Sequence, residues 1–240
     1  MINLVMGKGN MRKIGIIVAM ESELAGFTEK LQVKEVLEYA KKSFYIFNTE
    51  NYEVIVVLSG IGKVNASISA TLLLSKFNVD MVISTGVAGG LEHIKQKTIV
   101  IAKSLVQHDL DTTAFGDPLG LIPHLNCIEI KSNEKLVDFL HKEIKDSRLV
   151  TLASGDQFVC SKKRAGEIKS NFNATACDME SAAIAQVCAF FDVPFVAIRL
   201  ISDSAGDGAE SEYSFNLEES AKGMAFSIVD LLPKLAKVDL

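Results

Sequence analysis

The sequence predicts an α/β fold, a largely parallel sheet flanked by helices, and two observations carry that expectation. Short Val/Ile-rich runs alternate along the chain with longer stretches whose apolar residues recur with a period of about 3.6, the pattern of strands linked by crossover helices. The 240 residues are 48% hydrophobic, ample for a buried core, and no linker, low-complexity stretch or internal repeat interrupts the alternation. One domain over 11–240 is the economical reading. Residues 1–10, ending Gly-Lys-Gly-Asn before Met11, read as a flexible leader.

Taken in order, the first strand is 13–19, an apolar run that gives way to Glu-Ser-Glu at 21–23. Strands follow at 42–48, rich in aromatic and β-branched residues, and at 53–59, nearly all Val, Ile and Leu. The run 81–85 ends in a glycine cluster, and further strands are expected at 98–106, 149–154, 174–177 and 195–202. Between them, Leu136, Leu140 and Ile144 mark one helix face, and Met224, Ile228 and Leu232 another. A helix is expected over 180–191, and 115–128 is the longest irregular segment.

Composition excludes several function classes. The net charge is −5 and no basic run is longer than Lys162-Lys-Arg164, which argues against a nucleic-acid partner because phosphate neutralisation needs a clustered positive face. No apolar run reaches the ~18 residues that span a bilayer. Cys127, Cys160, Cys177 and Cys188 show no CxxC pairing, and three of them lie in apolar patterns, so a reduced, cytoplasmic setting is expected. His93, His108, His124 and His141 share no metal-ligand spacing, so neither a metal nor another cofactor is expected. His108-Asp109 near a strand end is read either as catalytic or as carrying a surface or hydrogen-bonded histidine.

Two glycine clusters follow strands. Ser59-Gly-Ile-Gly-Lys-Val-Asn-Ala66 lacks the third glycine and the later acid of a dinucleotide fingerprint, leaving a tight turn beneath a ligand as the plainer reading. Ser84-Thr-Gly-Val-Ala-Gly-Gly-Leu91 is either a bare turn or a place where backbone approaches a flat ligand closely. Neither carries the Lys-Ser/Thr of a P-loop. Three carboxylates, Glu23, Glu180 and Asp203, each sit where an apolar run passes into a helical pattern. In an open α/β sheet such strand ends share one crevice, so acids spread over most of the chain can face a single small molecule.

Five motifs in order, Lys13-Ile-Gly-Ile-Ile-Val-Ala-Met-Glu-Ser-Glu23, Ser59-Gly-Ile-Gly-Lys63, Thr85-Gly-Val-Ala-Gly-Gly90, Asp178-Met-Glu180 and Arg199-Leu-Ile-Ser-Asp203, resemble the 5′-methylthioadenosine/S-adenosylhomocysteine nucleosidases of the nucleoside phosphorylase superfamily. Val106-Gln-His-Asp109 and Ala153-Ser-Gly-Asp-Gln-Phe158 resemble the branch that accepts 6-amino-6-deoxyfutalosine in menaquinone synthesis. The resemblance implies a three-layer α/β/α domain around a mixed, partly closed sheet. It implies hydrolysis of an N-glycosidic bond through an oxocarbenium-like sugar, which needs a base for water, an acid for the leaving group and anionic stabilisation between them. On that resemblance Glu23 activates water, Asp203 protonates adenine N7, and Glu180 holds the ribose hydroxyls as an anion favoured by its helix start. A proton-donating Asp203 would need a pKa well above the usual ~3.9.

Met20, Ile61 and Met179 match positions lining the sugar and 5′ pocket, Ala88 and Gly89 backbone beside the ligand, and Phe158 with Val159 the segment that stacks on and bonds adenine. Arg199, followed by Ser202, matches a residue near Glu180, with a structural salt bridge as the alternative. Phe215 matches an aromatic cap. Thr112 and Phe115 match residues that enter a neighbouring subunit's pocket, implying a homodimer. Val87 stands where many relatives have Ser, Asp178 where Glu is usual, and the loop 204–214 is longer than the family norm. Two rival readings are a phosphorylase and a non-catalytic purine-binding module. The segments around Glu23 and 84–91 contain no Arg to grip phosphate, which favours water as nucleophile.

Overall fold

The alternation of buried residues along the first strand decides how the layers are built. The computed structural model describes residues 11–91 and 94–240, the side chains of 210, 212 and 214–220 excepted. In chain order the elements are β1 (Arg12–Val18), α1 (Glu21–Lys30), β2 (Glu35–Tyr39), β3 (Lys42–Asn48), β4 (Tyr52–Leu58), α2 (Lys63–Phe77), β5 (Met81–Gly90) and β6 (Ile99–Gln107). A 3-10 turn (Thr113–Phe115) precedes β7 (Ile130–Lys131), α3 (Glu134–Glu143), β8 (Arg148–Ser154), α4 (Lys162–Phe172), β9 (Ala176–Asp178), α5 (Ser181–Phe190), β10 (Phe195–Asp203) and α6 (Ala209–Leu235). Ile17 of β1 with Ile55 and Val57 of β4 packs against Ala66, Ala70 and Leu73 of α2 and Ile184 of α5. Their neighbours Ile16, Val18, Val54 and Val56 face Phe27 of α1, Leu136 and Leu140 of α3, and Met224, Ile228 and Leu232 of α6. A strand's period of two thus divides its side chains between two helix layers, giving the expected α/β/α arrangement. A third cluster, Val106, Ala153, Ile168 and Phe172 among its members, seats α4.

The strand order is β10-β6-β8-β9-β5-β1-β4-β3-β2, with β7 on β6 and β10 also paired to β5. That second pairing returns the path to β5, so β5, β10, β6, β8 and β9 form a closed ring from which β1, β4, β3 and β2 extend. The sheet is mixed and partly closed, as the family resemblance implies, whereas the run pattern alone predicts a largely parallel one. Five pairings are parallel, β1 with β4 and β5, β5 with β10, and β8 with β6 and β9, and five are antiparallel.

Two expectations need correction here. The strand β2 is absent from the sequence reading because it is an edge strand, mostly exposed, with Glu35 and Glu38 protecting it. Its hairpin turn carries positive φ at Ala40 and Lys41 rather than at the Asn-Gly that signals such turns. The second glycine cluster is also not a turn after a strand ending at 85. It is the second half of β5, paired to β10 and β9. Small residues let it do this, since a Cβ at Gly86 would lie 2.2 Å from Glu23 Oε1 and one at Gly89 2.9 Å from Ala205 Cβ. No described helix is long and apolar enough to cross a membrane.

Candidate active site

The carboxyl ends of β1, β4, β5 and β10 open on one cavity of about 370 Å³, within the size range of small-molecule sites. Glu23, Glu180 and Asp203 all line it. Each arrives by a different local device. Glu23 lies in the first turn of α1, where its Oε2 accepts from the N–H groups of Ala19 (2.7 Å) and Met20 (3.1 Å). Glu180 is the N-cap residue of α5, but its side chain turns away from its own helix and Oε1 accepts from Gly62 N–H at 2.8 Å. Asp203 ends β10 just past a register shift that re-aims the strand, with Oδ1 accepting from Ala205 N–H (2.8 Å) and Oδ2 from the Ser202 hydroxyl (2.8 Å).

All three are buried, and burial sets their electrostatics. It raises the Glu23 pKa above the ordinary carboxylate value, against the pull of Arg199 and of the backbone N–H groups on it. Burial, followed by repulsion from Asp178, pushes Glu180 up to about 7, with Gly62 and Arg199 opposing. In the empty cavity the anionic form expected of Glu180 is therefore disfavoured. The favourable helix start is outweighed by desolvation and by a second carboxylate two residues away.

Arg199, 3% exposed, forms its ion pair with Asp178. Its Nη2 and Nε reach Asp178 Oδ2 at 2.9 and 3.0 Å, and Nη2 also donates to the hydroxyls of Ser84 (2.8 Å) and Ser181 (2.7 Å). Asp178 accepts further from Ser154 at 2.5 Å and from Ser181. The guanidinium still lines the cavity and lowers the pKa of both Glu23 and Glu180.

Met20, Ile61, Ala88, Gly89, Phe158, Val159, Met179 and Ser202 all line the cavity with the acids. Phe115 and Thr112 do not; Phe115 is 87% exposed on the 3-10 turn, and the buried Thr112 hydroxyl meets no partner among the described residues. The side chain of Phe215 lies outside the described residues. Sequence reasoning missed Tyr213, two residues earlier, which lines the cavity, donates to Met20 Sδ (3.0 Å) and meets Phe158 edge-on at 5.5 Å between ring centroids. Burial and the charges of Glu23, Glu180 and Asp203 push its phenol up to about 12. It was missed because 204–214 reads as a polar loop, whereas α6 begins at Ala209 and turns Tyr213 inward. His108 stands outside the cavity, its Nδ1 3.1 Å from Arg164 Nη2. No cluster of metal-ligating side chains occurs among the described residues.

With this geometry in place, the comparison with known proteins has a physical counterpart. Residues 13–228 match the profile of the phosphorylase superfamily. The chain belongs to that superfamily. Among its members, the aminodeoxyfutalosine nucleosidase of Campylobacter jejuni is 36% identical over 230 residues, covering 94% of this chain and 100% of that one. The 5′-methylthioadenosine/S-adenosylhomocysteine nucleosidase of Tolumonas auensis is 40% identical over 230 residues, covering 93% and 100%. The Helicobacter pylori enzyme of the latter name, solved with butyl-thio-DADMe-Immucillin-A, superposes with a TM-score of 0.89 at 35% identity, covering 94% of this chain and 99% of that one. These relatives bear out the resemblance read from the five motifs, and the chain shares the fold of the Helicobacter pylori enzyme over 94% of its length.

Proposed function

We propose that this enzyme hydrolyses the N-glycosidic bond of 5′-substituted adenine nucleosides, 5′-methylthioadenosine and S-adenosylhomocysteine first, with 5′-deoxyadenosine and 6-amino-6-deoxyfutalosine as further substrates. The observation that carries the reading is the convergence of Glu23, Glu180 and Asp203 on one cavity whose lining arginine is already committed to Asp178. Phosphate would need a free arginine fork there and would meet carboxylates instead. Similarity to named nucleosidases of both the methylthioadenosine and aminodeoxyfutalosine types supports the same reaction.

In this mechanism Glu23 takes a proton from water as the water oxygen bonds to C1′ of the ribose. The C1′–N9 bond breaks, its electron pair goes to adenine, and Asp203 gives a proton to N7. Glu180, ionised, accepts hydrogen bonds from the ribose hydroxyls and faces the positive charge that develops on the sugar. The raised pKa of Glu23 makes it a stronger base than an exposed carboxylate. Phe158 and Val159 form the base-side wall, Met20, Ile61 and Met179 the sugar and 5′ side, with Ala88 and Gly89 as close backbone, and Tyr213 lines the cavity against Met20 and Phe158. The exposed Phe115 and the neighbouring Thr112 support a homodimer in which they approach the partner's cavity. The unit is read as one domain over 11–240, in the cytoplasm.

Adenine release from 5′-methylthioadenosine in phosphate-free buffer tests the reaction. Turnover that requires added phosphate would make the protein a phosphorylase, and tight adenine binding with no cleavage of any nucleoside would make it a binding module. A panel of kcat/KM values over the four substrates then assigns the 5′ preference, and no cleavage of the futalosine derivative would remove it from that branch.

A further inference from the structure

Just outside the cavity, three segments distant in sequence are joined in a closed ring of hydrogen bonds. Asp109, beyond the end of β6, uses both carboxylate oxygens: Oδ1 meets Lys63 Nζ at 2.6 Å and Oδ2 accepts from Asp156 N–H at 2.8 Å. The Asp156 carboxylate accepts from the backbone N–H of Lys63 at 2.7 Å, which closes the loop. Lys63 Nζ also donates to Gln107 Oε1 (3.0 Å), whose amide donates to Gln186 of α5 (2.6 Å). Burial acts to raise the Asp109 pKa, but the Lys63 ammonium and the Asp156 N–H override it and hold the carboxyl below its ordinary value. Asp109 therefore stays ionised at neutral pH with its hydrogen bonds in place.

None of Lys63, Asp109 or Asp156 lines the cavity, yet Lys63 is two residues from Ile61 and Asp156 one from Gln157, and both of those do. Gly62, next to Lys63, donates to Glu180 Oε1 at 2.8 Å. Gln157 and Phe158, which follow Asp156, form the opposite wall. The fit is close: a Cβ at Gly62, where φ is +96°, would lie 3.0 Å from Asp156 Oδ1. The ring thus fixes the distance between the turn that holds the ribose-side carboxylate and the segment that carries the aromatic wall.

We infer that Lys63, Asp109 and Asp156 are positioning residues, a brace that keeps the Gly62 N–H on Glu180 and the Phe158 wall in register with each other. This rests on the nucleosidase reading for its effect on turnover, though not for its effect on Glu180. Opening the brace moves Gly62 off Glu180, and that N–H is one of the groups holding the carboxyl down. The others facing Glu180 are Asp178, Arg199 and Glu23, with Tyr213 above them, and the brace touches none of these.

The experiment compares wild type with Asp109→Ala, Asp109→Asn, Lys63→Met and Lys63→Arg. In the ligand-free protein the Glu180 carboxyl is titrated by carbon NMR, which requires no turnover. The alanine and methionine variants are expected to titrate about one pH unit higher, the scale of losing one hydrogen bond to a charged group, and the acid limb of kcat/KM is expected to move with it. Their kcat/KM falls roughly 10-fold or more, and Lys63→Arg, which keeps the charge, recovers most of the loss. A merely structural tie would lower the melting temperature of these variants and leave the Glu180 titration in place, which overturns the proposal. So would a shifted titration with kcat/KM within twofold of wild type. Should Asp109→Ala fail to fold, Asp109→Asn, which keeps the shape, gives the same reading on a smaller scale. Wild type that cleaves no nucleoside refutes the functional reading instead, and the NMR titration still decides the brace.

Discussion

Replacing Glu180 by glutamine separates what the cavity costs in stability from what it does in catalysis. The side chain is buried, and its pKa is pushed from 4.5 to about 7 by desolvation and then by Asp178. Glutamine keeps the length and the oxygen that accepts from Gly62 N–H but carries no charge. For a carboxyl raised in the folded state, the folded protein holds more protons than the unfolded chain between pH 4.5 and 7. Its contribution to stability is thus fully present below the unfolded value and lost as pH rises through the folded one. At 1.36 kcal/mol per pH unit, the raised pKa of Glu180 costs the ligand-free protein about 3 kcal/mol at pH 8 and about 1 kcal/mol at pH 5. The Glu180→Gln protein is expected to melt roughly 6–12 °C above wild type at pH 8, with a much smaller gap at pH 5, while losing most of its nucleosidase activity. Thermal melts of the two proteins across this pH range measure the difference directly. A glutamine variant that melts at or below wild type at pH 8, with its fold intact, would show that the carboxylate is not the strained group the geometry implies.

Three further outcomes follow from the same geometry. Asp203→Asn is expected to lower kcat by about 10²–10⁴-fold with an unchanged melting temperature, and near-wild-type turnover would end its role as the acid. Gly86→Ala places a Cβ 2.2 Å from Glu23 Oε1, so the carboxylate must shift; steady-state kinetics are expected to show at least about a 10²-fold fall in kcat, and an active alanine variant would refute the placement of Glu23 as base. Arg199→Met leaves Asp178 charged, buried and unpaired, at a cost of about 3–5 kcal/mol, read as a lower denaturant midpoint; an unchanged midpoint would mean that Asp178 finds its counter-charge elsewhere.

How much of this was legible without coordinates differs by physical cause. The sheet interior was, because β1 and β4 are buried on both faces and their Val/Ile runs have no other use. The three acids were also legible, since each stands where an apolar run meets a helix and their spacing in sequence is undone by strand order alone. The closed ring was legible only through the family resemblance, because the pairing of β10 with both β5 and β6 is a long-range choice that no local pattern announces. The identity of the partner of Arg199 was not legible, because it depends on a serine from β5, another from α5 and the shorter Asp178 meeting in three dimensions. Tyr213 escaped for a different reason. The residues around it are Gly, Ser and acids, which favour a loop locally, and helix α6 forms there because its continuation beyond Ala221 packs on α1.

The charge balance of the cavity argues for what kind of reaction it favours. Four carboxylates, Glu23, Asp178, Glu180 and Asp203, and one arginine are found among the described lining residues, and the arginine spends its hydrogen bonds on Asp178 and two serines. Such a site is poorly disposed to any anion, phosphate included, and burial in it raises the pKa of Glu23 and Glu180 while it is empty. A neutral nucleoside does little to relieve that repulsion. A sugar that becomes positively charged as its glycosidic bond lengthens relieves it strongly, because the same buried negative charge that destabilises the empty cavity stabilises the cation at close range. The repulsion among the acids is therefore the part of the structure that distinguishes transition state from ground state, and an arginine placed to neutralise it more fully would stabilise the fold at the expense of the rate.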